Sequence, residues 1–196
     1  MFIYGASGHG KVVLEIAEIL GKSVEFFVDD NLDLERVRDI SVVSEIPEYA
    51  VQGILAIGSN KIRKRLADML SFKEFVTLIH PKATISKSAS FGAGTVVIAG
   101  ATLNADVHVG RHVILNTNAS IDHDCILEDF VHISPNVTLS GGVRVGEGTH
   151  IGVGACVIPG IQIGKWAIIG AGTVIIKDVP DGATIVGNPG RVIKGI

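Results

Sequence analysis

The chain has 196 residues, of which 47% are apolar and 19% charged, with a formal net charge of −3; that length suits one domain or two small ones. The charge balance gives no general attraction for nucleic acid or an anionic membrane. No segment approaches the roughly 18 unbroken apolar residues that a spanning helix needs.

In chain order, Phe2–Tyr4 reads as a short apolar strand, followed by the turn Gly5-Ala-Ser-Gly-His-Gly10. Its start, MFIYG, has no basic leader or cleavage site and predicts no signal peptide. Lys11–Leu20 places Val12, Val13, Ile16, Ile19 and Leu20 at helical spacing, with Gly21 as its C-cap. Val24–Val28 predicts a second strand ending at Asp29-Asp30, and Gly53–Ile57 a third. Gly58-Ser-Asn60 leads into a basic helix, Lys61–Leu70, and Phe75–Leu78 reads as the last strand of this part. Strand, Gly-rich turn, helix and strand form a βαβ unit, so residues 1–78 predict a small Rossmann-like domain.

From Ile79 the pattern changes. Every sixth residue through Ile175 is bulky and apolar: Ile79, Ile85, Phe91, Val97, Leu103 and so on without a break. Four residues after each stands a small or apolar one, from Ala83 to Val179. That hexapeptide period predicts a parallel β-helix over 79–196, with about 18 residues per coil and a tail after Val179. Positions i and i+4 point inward, i+2 and i+5 outward, and residues eighteen apart stack at roughly 4.8 Å. Three flat faces favour packing around a threefold axis, so a homotrimer is expected. Cys125 is an inward residue and Cys156 occupies a non-equivalent position, so no disulfide is expected. The composition and the cysteines together suit a soluble protein of a reducing compartment, the cytoplasm.

His123 is an outward residue flanked by Asp122 and Asp124. Flanking carboxylates orient an imidazole and raise its basicity, as a general base near neutral pH requires, although an exposed His in an acidic turn has the same sequence. His132 and His150 are outward and eighteen apart; they form either a groove-lining pair that donates to a carbonyl or a polar ladder. His80, His108 and His112 are read as non-functional. The β-helix invites a three-His zinc site, but the spacing His108/His112 and His123/His132 does not match one, and no metal is expected. In the N-terminal part, Gly5, Gly8 and Gly10 bring backbone N–H groups to a helix start, a phosphate site, but in a spacing that does not imply NAD. Asp29 and Asp30 are placed to accept from a ribose or base, with Ser59, Asn60 and Arg63 near the same edge.

The stretches FIYGASGHGKVV, VDD, AIGSNKIRKR, NTNASIDHDC and GNPGRVIK resemble sugar O- and N-acetyltransferases of the sialic-acid acetyltransferase type. Among these they are most similar to UDP-4-amino-sugar N-acetyltransferases of bacillosamine and perosamine biosynthesis. The resemblance implies a Rossmann-like domain on a left-handed β-helix, a trimer, and acetyl-CoA as cosubstrate. It implies His123 as general base, supported by Asp124 where the family usually has Glu. It implies His132 beside the acetyl group and pantetheine arm, with Gly141, Gly142, Val153 and Ala171 along the coenzyme. Nucleotide-sugar contacts fall on Gly8, His9, Gly10, Asp29 and Asp30. Arg191 and Lys194 in the tail are read as anchors for coenzyme A phosphates. The same His serves an amine or a hydroxyl, so O-acetylation of a sialic acid or other sugar stays open, as does a non-catalytic sugar-nucleotide-binding scaffold.

Overall fold

The computed structural model describes the whole chain except Leu32, Phe72 and Ile196. Its N-terminal part contains β1 (Phe2–Tyr4), α1 (Gly8–Ile19), β2 (Phe26–Val28), β3 (Arg36–Val37), β4 (Ile40–Val43), β5 (Gln52–Leu55), α2 (Asn60–Met69) and β6 (Glu74–Phe75). These strands form one sheet in the order β3-β4-β2-β1-β5-β6, parallel except for the β3–β4 hairpin. The hairpin gives no sequence signal because its partly exposed strands do not alternate cleanly. α1 starts three residues before the expected Lys11 and stops where Gly21, at φ +67°, donates to the Glu18 carbonyl.

The stretch read as one final strand, Phe75–Leu78, divides between two sheets. Glu74–Phe75 pairs with β5, whereas Leu78–Ile79 pairs with Val96–Val97 as the first rung of the repeat body. That body is a left-handed parallel β-helix. Its two-residue rungs stack into three sheets, and partners lie eighteen residues apart: Ile114 beside His132, Ser120 beside Thr138, Ile126 beside Arg144. Large and small inward residues fill the prism, from Val97, Ala101 and Leu103 to Val179, Ala183 and Ile185, almost all fully buried. This one continuous apolar column is the main source of stability, at about 25 cal/mol per Å² of apolar surface removed from water.

At the corners from Gly94 to Gly172 the i+3 residue takes the left-handed conformation, which suits Gly, Asn and Asp; Asp106, Asn118, Asp124 and Asn136 sit there, with Gly142 and Gly148. His112 and Phe130 adopt the same conformation in spite of their bulk (φ 53° and 61°). The body continues beyond the last expected repeat. Thr184–Val186 pairs with Ile168–Ile169, and Arg191–Lys194 returns antiparallel to it, so the tail is a hairpin capping one sheet.

The two parts share a core. Val96 and Ile98 point outward from the prism, yet both are buried with Leu78 under Val13, Leu14 and Ala17 of α1. α2 lies along one corner column, where Phe130 packs against Leu66 and Ala67. Among the described residues no helix is long and apolar enough to cross a membrane.

Candidate active site

His123 follows the Ser120–Ile121 rung, where the chain turns a corner and the side chain faces solvent. Its Nδ1 lies 2.7 Å from Asp124 Oδ2. The carboxylate accepts, so Nδ1 carries the proton and Nε2 presents its lone pair outward. The turn is braced from the coil before it. Asn104 Nδ2 donates to Asp122 Oδ1 at 2.8 Å, and that oxygen also accepts from the His123 N–H at 2.8 Å. The hydrogen bond to Asp124, then the nearby charge of Asp122, raises the His123 pKa above its ordinary value. An oriented, exposed imidazole of raised basicity is fit to take a proton from an attacking nucleophile.

One coil further on, Gly142 donates to the His123 carbonyl at 2.8 Å, and Gly141 lies directly against the imidazole ring. Cys125 points into the prism as expected. Its thiol is buried, donates to Ser140 O, and has a pKa raised by burial, so no nucleophilic thiolate is at hand. The other cysteine, Cys156, is free and exposed.

His132 and His150 form the stacked pair that the period requires, with ring centroids 4.7 Å apart and planes 4° from parallel. His132 is half-buried between the Asn116 amide and the Gly58 carbonyl, each at 3.4 Å, and His150 Nε2 meets Ser134 Oγ at 2.8 Å. Burial, then the charges of His150 and Arg63, pushes the His132 pKa down to about 3. It therefore works as a neutral hydrogen-bonding group, not as a cation. Val153 and Ala171 share one exposed corner column, linked by the Gly172 N–H to the Val153 carbonyl at 2.8 Å. Arg191 and Lys194 lie exposed on the C-terminal hairpin.

The N-terminal candidates divide. Gly8 is open, with no atom near an added Cβ, whereas a Cβ at Gly10 would overlap the Gly5 carbonyl. Gly10 therefore serves close packing of the turn on α1. His9 is largely buried, with no partner for Nε2, and burial lowers its pKa to about 4. Asp29 holds the turn itself, since Oδ2 accepts from the Ala6 N–H at 2.7 Å and Oδ1 from the Asn31 N–H at 3.0 Å. Asp30 is exposed and accepts from the Tyr4 hydroxyl at 2.8 Å; burial and that contact push the Tyr4 pKa up to about 12. Neither the Tyr4 partnership nor the Ala6 contact leaves a sequence signal, since both join residues more than twenty positions apart.

Asn60 and Arg63, expected at the substrate edge, are instead interior fasteners. Asn60 donates to the Gly148 and Thr149 carbonyls. Arg63 is fully buried and donates to His112 O, Phe130 O, Ile57 O and Asn60 Oδ1, all at 2.8–2.9 Å. With these donors engaged, the guanidinium faces carbonyls and not solvent. Ser59 precedes α2 as its exposed N-cap. His112, read as non-functional, proves to be a packing element between Phe75 and Phe130. Among the described residues no cluster of three His, Cys, Asp or Glu side chains could hold a metal ion.

A parallel β-helix of hexapeptide repeats with an outward His–Asp pair, joined to a small α/β domain, defines a hexapeptide-repeat acyltransferase. The model of the PglD N-terminal domain matches residues 1–70. The whole chain superposes on a crystal structure of a mutant perosamine N-acetyltransferase from Caulobacter crescentus in complex with CoA and GDP-perosamine. That match has TM-score 0.92 and 38% identity, and covers 100% of this chain and 96% of that one. The acetyltransferase domain of PglB from Neisseria gonorrhoeae, in complex with acetyl coenzyme A, matches with TM-score 0.91 and 40% identity over 98% of both chains. UDP-N-acetylbacillosamine N-acetyltransferase of Bacillus subtilis is 43% identical over 108 residues, 50% of each sequence, so the matched stretch spans half the length of that relative. The chain belongs to the family of these hexapeptide-repeat sugar acetyltransferases.

Proposed function

We propose that the protein transfers the acetyl group of acetyl-CoA to the amino group of a UDP-linked 4-amino-deoxysugar, with His123 as general base. The observation that carries this reading is the His123–Asp124 contact, which leaves Nε2 basic and exposed on the β-helix. In the step proposed, the neutral sugar amine attacks the thioester carbonyl while Nε2 takes its proton. The tetrahedral oxyanion collapses with loss of the CoA thiolate, which recovers the proton from the imidazolium. Direct attack suits a site whose nearby thiol, Cys125, is buried. The relatives, a perosamine N-acetyltransferase and a UDP-N-acetylbacillosamine N-acetyltransferase, favour an amine over a hydroxyl acceptor.

His132, neutral and half-buried, is assigned the acetyl end of the coenzyme, with Gly142, Val153 and Ala171 along the arm and Arg191 and Lys194 near its phosphates. Gly8, His9 and Asp30 are assigned to the nucleotide-sugar, so that residues 1–78 hold that substrate and 79–196 the coenzyme. A trimer, with coenzyme grooves between neighbouring prisms, and a cytoplasmic setting where acetyl-CoA is available complete the proposal.

Steady-state turnover with acetyl-CoA and a UDP-4-amino-sugar tests it. His123→Ala should lose about 10²–10⁴-fold in kcat/KM, the usual contribution of a positioned base. Retention of more than about a tenth of the activity would remove His123 from that role.

A further inference from the structure

Gly141 stands eighteen residues after His123, one coil along the same corner column. It is not in the left-handed region, unlike Gly142 at φ +70°, so its backbone would accept any L residue. Side chains are tolerated elsewhere in the column, where Ala105 precedes His123 and Pro159 follows Gly141 at the same spacing. What excludes a side chain at Gly141 is the imidazole. An added Cβ would lie 2.6 Å from His123 Cε1, 2.7 Å from Nε2 and 3.2 Å from Nδ1, and these are the three atoms nearest to it. Carbon contacts normally settle near 3.5–4.0 Å, so the ring would have to swing away. Because the ring is exposed, it can do so without unfolding anything, but it would leave Asp124.

We propose that Gly141 is a positioning residue for His123: the absent side chain lets the imidazole lie against the next coil with Nδ1 on Asp124. The proposal rests on the reading of His123 as the base. It separates from the expectation that Gly141 serves the coenzyme arm, because a coenzyme contact would be felt in substrate binding and this contact in the chemical step.

The test is Gly141→Ala, assayed for turnover and followed by NMR of the His123 imidazole. The expected result is a loss of about tenfold or more in kcat, with both KM values within about twofold of the parent. In a His123→Ala background the same change should cost no further activity. The imidazole should titrate at lower pH than in the parent, because Asp124 is lost as its partner while Asp122, the other carboxylate facing it, remains. A rise in the acetyl-CoA KM alone, with an unchanged His123 titration, would overturn the proposal. If His123→Ala proves active while Gly141→Ala still displaces the titration, the base assignment fails and the positioning role stands.

Discussion

The guanidinium Nε of Arg63 donates to the main-chain oxygen of His112 at 2.8 Å, tying α2 to a β-helix corner 49 residues along the chain. The same group reaches Phe130 O on the next coil and Ile57 O just beyond β5. Among the described residues no carboxylate pairs with this buried cation, and burial lowers its pKa to about 9. Carbonyl dipoles alone compensate it, which makes the fork geometry of arginine necessary.

Arg63→Met should therefore leave at least two buried carbonyls unpaired, at about 1–3 kcal/mol each, a loss of roughly 3 kcal/mol in total. Arg63→Lys should recover little of it, because an ammonium cannot donate in three directions across that span. Urea denaturation at fixed protein concentration measures both. A loss below about 1 kcal/mol for Arg63→Met would contradict the assignment.

Three imidazoles near Arg63, His112 buried and His9 and His132 partly so, make stability depend on pH in one direction. Burial, the largest cause for each, holds His9 and His112 at about 4 and His132 at about 3, against an ordinary value of 6.5. Between those values the unfolded chain binds protons that the folded chain refuses. The stabilisation is complete above pH 6.5 and is lost as pH falls from 6.5 towards 4 and 3, at up to about 1.4 kcal/mol per pH unit per group. The melting temperature should be flat from pH 8 to 7 and drop clearly by pH 5. His112→Phe, which keeps the stack on Phe130, should make that drop shallower. A melting temperature that does not change between pH 7 and 5 would count against the neutral cluster.

For the exposed pair the sign reverses. Asp124 is the largest cause of the raised His123 pKa. Asp124→Asn removes the charge and leaves on Nδ1 only a neutral amide, whose oxygen is a weaker acceptor, so the His123 pKa falls. The acidic limb of the kcat/KM profile should then move to lower pH, and the plateau should drop about tenfold as the ring loses its orientation. An acidic limb that stays in place would show that Asp124 does not set His123.

Much of the β-helix, and with it the direction of most site side chains, was legible because a six-residue period repeats one geometric decision many times. Ile121 fixed the phase that turns Cys125 inward and His123 outward, and the same eighteen-residue spacing foretold the His132–His150 stack. The N-terminal residues had no such repetition. Asp29, Asn60 and Arg63 read as ligand contacts because polar residues at strand ends and helix starts have the same sequence whether they face a ligand or a neighbouring main-chain group.

The sequence alone determined the coil, its inner column and the exposure of the His123 corner, since these follow from local spacing and the burial of apolar side chains. Tertiary structure decided where the two parts touch, and thereby which polar residues remain for a substrate. That choice depends on the docking of α1 and α2 on outward faces of the prism, where Val96, Ile98 and Phe130 are covered. It also decided that Gly141 faces the imidazole, because only the stacked coils show that the space a side chain would need is already filled.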